Sequence, residues 1–283
     1  MQSWKEIIHH PTFRYMDQSN ETKFYNEKIT ALTSFAIDDT LALSVGDDES
    51  APTIRLWVHP HTVVLGIPDA RLPFIEEGVG LLSERGYHAV VRNSGGLAVA
   101  LDDGVLNISL VLPDMKNLPI HACYEAMVSF VQYMLADLTN EIEAYEIVGS
   151  YCPGDYDLSI GGKKFAGISQ RRVKDGAAIQ IYLDVEGHGQ ERAALIRDFY
   201  EIGLKDAETN FSFPEVVPGT MASLSELLPS KITMPEMKKR VYATLEDLSE
   251  NIITTEFSER EQENFIKRLE QMKKRNEKIA GML

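Results

Sequence analysis

The densest run of side chains capable of chemistry lies between Gly149 and Lys174, GSYCPGDYDLSIGGKKFAGISQRRVK. Cys152 falls between a strand-like segment and a Pro-Gly turn, a loop position from which a side chain can meet a substrate. A cysteine attacks as its thiolate, so a nucleophilic Cys152 needs a positive charge nearby. Lys163 and Lys164 follow eleven and twelve residues later, across two strands that can fold back towards it. Neighbours on a strand point to opposite faces, so one of these lysines should face a pocket and the other solvent. The spacing alone does not choose between them. A free cysteine is also a small hydrophobe that packs readily in cores, and this second reading of Cys152 stays open. Cys123 lies in a helix-like stretch and reads as core.

A second candidate is the run Arg92-Asn93-Ser94-Gly95-Gly96, which joins two strands. Its glycines would let backbone N–H groups approach a carbonyl or phosphate; a plain hairpin turn is the equally open alternative. No GxGxxG or GxxxxGK[ST] motif supports a dinucleotide or P-loop site, and the seven histidines show no HExxH-like spacing. No metal and no cofactor are expected. With 28 Lys+Arg against 43 Asp+Glu the formal charge is −15, which argues against nucleic acid and against anionic lipid as partners. No run approaches the roughly 20 apolar residues that span a bilayer. The start, MQSWKEIIHH, lacks a basic stretch followed by an apolar core, so no secretory signal is expected. Two cysteines without CxxC spacing do not make a disulfide framework, and a cytoplasmic location is anticipated.

These residues need elements to hold them. With 283 residues, 44% of them hydrophobic, the chain can bury a sizeable core without staples. Apolar spacing predicts helices over Ile29–Val45, Leu72–Arg85 (closed by Gly86), Ile120–Leu138 and Gln190–Leu204. Strands are predicted over Thr53–Val58, Thr62–Ile67, His88–Arg92, Leu97–Leu101, Val105–Leu112, Ile142–Ile147, Tyr156–Ile160, Lys164–Arg171 and Ala177–Asp184. Gly161-Gly162 and Asp175-Gly176 mark hairpins between the last three. Beyond about residue 210 helices dominate, Met234–Leu248 and Phe257–Ile279. The reading is an α+β chain: a mixed-sheet catalytic body over residues 1–210 and a small helical C-terminal portion over 211–283.

Four ordered segments carry a resemblance to a known family. FAIDDTLAL (Phe35–Leu43) followed by TIRLWVHPHTVVLGIPD (Thr53–Asp69), then RNSGGLAVALDDGVLNISLVL (Arg92–Leu112), then DLSIGGKKFAGISQRR (Asp157–Arg172) resemble the lipoate-protein ligase and octanoyltransferase family. The resemblance implies a sheet of the biotin/lipoyl protein ligase type with flanking helices. It selects Lys164 as the pocket lysine, because Phe165-Ala166-Gly167 follows it. It also implies substrate-binding roles for Arg92, Asn93, Ser94, Gly95, Gly96, Asn107, Gly162 and Gly167, with Leu97 and Val99 lining an acyl tunnel. Four departures are informative. Asn93 replaces a second arginine, Leu97 replaces a third glycine, Leu101-Asp102-Asp103 replaces His-Asp, and Gln180–Asp184 lacks the usual His-Gly-Thr/Ser. They weaken the case for an ATP-dependent ligase.

Cys152, five residues before Asp157-Leu158, is similar to the branch that carries the acyl group on a cysteine. That branch implies Cys152 as nucleophile, with Lys164 stabilising the thiolate and the acyl carbonyl. The donor would be octanoylated glycine cleavage H protein and the acceptor a lipoyl domain of a 2-oxoacid dehydrogenase complex. Alternatives are an octanoyltransferase fed by acyl carrier protein, an ATP-dependent lipoate ligase, and a binder of lipoylated domains that has lost its chemistry. Lipoyl-type domains are usually acidic, as this chain is. Lys163, Lys164, Arg171, Arg172 and Lys174 are therefore expected either to form a local basic patch or to be a solvated hairpin.

Overall fold

Alternation along Val105–Leu112 and Gly176–Asp184 puts these two strands at the centre of the molecule. Leu106, Ile108, Leu110 and Leu112 face one core with Ile179, Ile181 and Leu183, while Val105, Val111, Ala178 and Tyr182 face a second. The structure, a computed structural model, describes residues 3–282. In chain order these form α1 (Trp4–Ile8), β1 (Thr12–Asp17), β2 (Lys23–Phe24), β3 (Glu27–Lys28), α2 (Ala31–Gly46), β4 (Thr53–Trp57) and β5 (Thr62–Leu65). There follow α3 (Ile75–Glu84), β6 (His88–Val91), β7 (Val99–Leu101), β8 (Val105–Leu112), α4 (Ile120–Met134), β9 (Glu143–Ala144), β10 (Leu158–Ile160) and β11 (Lys163–Val173). The chain ends with β12 (Gly176–Asp184), α5 (Gly189–Leu204), α6 (Leu224–Leu227), α7 (Met234–Leu248), β13 (Asn251–Ile253) and α8 (Glu259–Ala280).

The large sheet has the order β13-β1-β4-β8-β12-β11-β10-β9, parallel at β13-β1-β4 and antiparallel elsewhere. A small sheet, β6-β5-β7, packs with α2, α3 and α5 in the second core; α1, α4 and α7 cover the opposite face. The fold is α+β with a mixed sheet, and both glycine hairpins form where anticipated, β10-β11 and β11-β12. Residues after 210 do not hang off the body. β13 pairs with β1, α7 buries Met237, Val241 and Leu245 on one face, and α8 buries Phe265, Leu269 and Met272 on the other.

Two connections differ from the sequence expectation. Arg92–Gly96 is not a hairpin, because β6 and β7 lie on opposite sides of β5 and the loop must cross its end. Of Ile142–Ile147 only Glu143–Ala144 is strand; the Ile147 N–H instead donates to the Asp157 carboxylate at 3.3 Å, which bends the chain into the loop before Cys152.

Helix α2 is buried nearly all round, and its polar side chains are answered from the sheet. Asp38 accepts from Arg55 Nε (2.9 Å), Ser109 Oγ (2.7 Å) and Gln180 Nε2 (2.6 Å). A buried carboxylate is tolerated only when paired and hydrogen-bonded in this way. The network fixes β4, β8 and β12 against α2 and so shapes the floor of the site.

Candidate active site

A cavity of about 280 Å³ opens between the two sheets, with Phe35, Trp57, Val64, Val99 and Leu101 as apolar walls and Cys152 among its lining residues. The Cys152 sulfur is half-buried and has two donors: the Leu97 N–H at 3.1 Å and Arg92 Nη2 at 3.2 Å. The same Arg92 nitrogen donates to the Leu97 carbonyl at 2.7 Å, so guanidinium and amide are locked together around the sulfur. Cys152 has φ +47°, in the left-handed region that costs a residue with a Cβ about 1–2 kcal/mol. Such strain persists where the surroundings over-determine it, often at functional sites.

Lys164 and Lys163 separate as strand alternation requires: Lys164 is completely buried and Lys163 is exposed. The Lys164 ammonium does not reach the sulfur, however. It pairs with Asp157 Oδ1 at 2.9 Å and donates to the carbonyls of Tyr151 and Cys152, both at 2.9 Å, and to Ser150 Oγ at 3.3 Å. Three N–H groups facing four acceptors leave none for a thiolate or an acyl carbonyl. The cation hydrogen-bonded to the sulfur is Arg92, and Lys164 holds the backbone that carries Cys152. Burial pushes the Asp157 carboxyl up, and Lys164 pulls it back.

Of the residues expected to bind substrate, Arg92, Gly95, Gly96, Asn107 and Gly167 line the cavity with Val99. A Cβ on Gly96 would lie 2.0 Å from Arg92 Nη2 and 3.0 Å from the Cys152 sulfur, and one on Gly167 2.8 Å from Tyr182 Cε1. At both positions only glycine fits. Asn93, Ser94 and Leu97 are not on the wall; Ser94 Oγ sits 3.5 Å from Ser169 Oγ behind it, and Leu97 contributes its amide. Gly162 is also displaced from the site, at the exposed tip of the β10-β11 turn with φ +75°. There the motif serves the turn.

The hairpin cations do not assemble into a free basic patch. Lys164 is internal, Arg171 pairs with Asp39 (2.9 Å), Lys174 with Asp47 (3.0 Å), and Arg172 donates to the carbonyls of Met115 and Leu118. Cys123 is packed in α4, and burial pushes its thiol up, as befits core rather than chemistry. Sequence reasoning missed the part played by Asp157, although Asp157-Leu158 was in view, because its partner is known only once β10 and β11 fold back. It also missed Tyr124 and Tyr156, stacked 5.0 Å apart at the mouth, with His121 Nδ1 3.0 Å from Tyr156 Oη.

Among the described residues no helix is long and apolar enough to cross a membrane. The family model for the lipoyl protein ligase A/B catalytic domain matches residues 30–246. The octanoyl-[GcvH]:protein N-octanoyltransferase of Oceanobacillus iheyensis is 63% identical over 277 residues, covering 98% of this chain and 99% of that one. The lipoyl-[GcvH]:protein N-lipoyltransferase of Listeria monocytogenes is 44% identical, covering 96% and 97%. In fold, the chain is similar to a crystal structure of lipoate-protein ligase A bound with ATP, with TM-score 0.67, 16% identity and coverage of 92% and 94%.

Proposed function

The chain belongs to the lipoyl protein ligase A/B catalytic-domain family, and from that premise we propose that it is an acyltransferase moving an octanoyl group between proteins through a thioester on Cys152. The donor is the octanoylated lysine of glycine cleavage H protein, and the acceptor is the matching lysine of a lipoyl domain in a 2-oxoacid dehydrogenase complex. The proposal places the chain in the cytoplasm with these partners. The observation that carries this reading is Cys152 on the wall of a largely apolar cavity, its sulfur held by Arg92 and the Leu97 amide.

The Cys152 sulfur, hydrogen-bonded by the guanidinium and the Leu97 N–H, attacks the amide carbonyl carbon as its thiolate. The C–N bond breaks, the donor lysine nitrogen takes up from solvent the equivalent of the proton that the Cys152 thiol gave up and leaves as a neutral amine, and S-octanoyl Cys152 remains. The acceptor lysine, as a neutral amine, then attacks the thioester carbonyl. The C–S bond breaks, the sulfur leaves as a thiolate onto the same two donors, and the amine proton is released. One amide replaces another, so the exchange is close to isoenergetic and needs no ATP. Burial of seven apolar acyl carbons at about 0.8 kcal/mol each supplies about 6 kcal/mol of binding. That energy orients the carbonyl beside the sulfur.

The test is incubation of octanoylated H protein with unmodified lipoyl domain, without ATP, followed by mass spectrometry of all three proteins. With donor alone, a hydroxylamine-labile octanoyl adduct is expected on Cys152, discharged on adding lipoyl domain. Transfer by a folded Cys152→Ala protein would remove the thioester from the mechanism. The lipoyl transferase name of the Listeria relative supports a second reading of the cargo, and the same assay with lipoylated H protein decides it.

A further inference from the structure

We infer that Asp69 and Tyr200 are positioning residues that hold the Gly96–Ala98 turn, and with it the Leu97 amide, against the Cys152 sulfur. The inference rests on the acyltransferase reading for its consequence but not for its geometry. Residues 92–98 cross the end of β5 between two strands that do not pair with each other. No ladder therefore sets where the Leu97 N–H points. Instead the Ala98 N–H donates to Tyr200 Oη at 3.3 Å, Tyr200 Oη donates to Asp69 Oδ1 at 2.9 Å, and Asp69 Oδ2 accepts from the Gly66 N–H at 2.6 Å. The strut thus ties the turn on the sulfur to the end of β5 beneath it. Gly66 and the turn are in direct contact, since a Cβ on Gly66 would lie 2.0 Å from the Gly96 carbonyl oxygen.

Packing alone does not explain this arrangement. Asp69 is completely inaccessible and Tyr200 only 3% exposed, and no cation hydrogen-bonds the carboxylate; its partners are one amide and one phenol. Burying a carboxyl on such terms is costly, and an apolar pair would fill the space more cheaply. What the polar pair supplies is direction. A phenol oxygen that both donates and accepts fixes the Ala98 N–H, and the peptide before it presents the Leu97 N–H to the sulfur at 3.1 Å.

The test uses the full chain carrying Cys123→Ala, so that Cys152 is the single thiol, with Tyr200→Phe, Asp69→Ala and Asp69→Asn added separately. Two rates are read on protein shown to be folded by circular dichroism: alkylation of Cys152 by iodoacetamide at neutral pH, and single-turnover S-octanoylation by an activated octanoyl donor. Tyr200→Phe and Asp69→Ala are expected to slow both by about tenfold, the worth of one weakened hydrogen bond to an ionised group. Asp69→Asn should recover most of the rate, since its Oδ1 can accept from Gly66 while its Nδ2 donates to the phenol oxygen. A strut that merely adds stability would lower the melting temperature and leave both rates alone, and that outcome overturns the inference. So does an Asp69→Asn protein as slow as Asp69→Ala. If Asp69→Ala does not fold, Tyr200→Phe decides by itself, because it removes a single oxygen. Should the parent alkylate normally but never become S-acylated, the acyltransferase reading fails while the alkylation comparison still decides this one.

Discussion

Replacing Lys164 by methionine removes a completely buried ammonium and leaves its four acceptors in place. Methionine has nearly the length and volume of lysine, so the perturbation is the lost charge and N–H groups rather than a cavity. Asp157 keeps weaker contacts from the Ile147 and Gly154 amides and the Ser150 hydroxyl, at 3.2–3.5 Å, but loses the cation opposite. Breaking a buried pair from one side costs about 3–5 kcal/mol, and orphaning the Tyr151 and Cys152 carbonyls pushes towards the upper end. A loss of about 4 kcal/mol lowers the melting temperature of a chain this size by roughly 10 °C. The lost bonds hold the Cys152 backbone itself, so transfer should fall even where the fold persists. Lys163→Ala, next door but exposed, should change stability by under about 0.5 kcal/mol. Adding Asp157→Asn to Lys164→Met removes the stranded charge, so the double variant should be about 1–3 kcal/mol more stable than the two single losses summed. Urea unfolding followed by circular dichroism measures the four variants (Lys164→Met, Lys163→Ala, Asp157→Asn and the double) against the wild type, with initial transfer rates beside it. A Lys164→Met protein with the wild-type urea midpoint, or strictly additive losses, would refute the assignment of Lys164 as the clamp of this loop.

Cys152→Gly and Cys152→Ala should both be inactive, but glycine should be the more stable by about 1 kcal/mol because φ is +47° there; the usual order in thermal melts would show that the loop relaxes. Gly167→Ala should lose about 1–3 kcal/mol and most of the transfer rate, since the new methyl meets Tyr182 at 2.8 Å on the cavity wall; wild-type melting and activity together would mean that the ring has room to move. Burial pushes the Asp69 carboxyl up to about 6, so the folded state holds this proton to higher pH than the unfolded chain does. Its ionisation therefore costs native stability as pH rises from the ordinary carboxylate value through about 6. Asp69→Asn, which never ionises, should gain about 1 kcal/mol relative to the parent between pH 5 and pH 7, and melting curves at the two pH values that show no gain would contradict this.

Local pattern was enough for much of the scaffold. The apolar alternation of Val105–Leu112 and Ala177–Asp184, the glycine turns between the last strands and the apolar period of α2, α3 and α5 are short-range signals, and each element forms within a few residues of its expected place. The same alternation implied that only one of Lys163 and Lys164 could be internal, and the family motif identified which. Pattern failed where the partner is distant in sequence. β1 pairs with β4 and with β13, the latter starting at Asn251, so nothing near residue 12 announces a strand paired in parallel on both sides. Arg92–Gly96 looks like a turn locally and becomes a crossover only because β5 lies between its flanking strands. Which cation meets the sulfur was likewise a tertiary decision. Lys164 is twelve residues from Cys152 and Arg92 is sixty away, yet the fold binds the lysine to Asp157 and the loop carbonyls and brings the arginine to the thiol. An ammonium sealed inside must satisfy every N–H with fixed acceptors, whereas a guanidinium on the cavity wall can still serve a substrate-facing atom. Ordered motifs and the family they resemble were therefore sufficient to point to an acyltransferase, and the three-dimensional accounting of donors and acceptors decided where Arg92 and Lys164 stand.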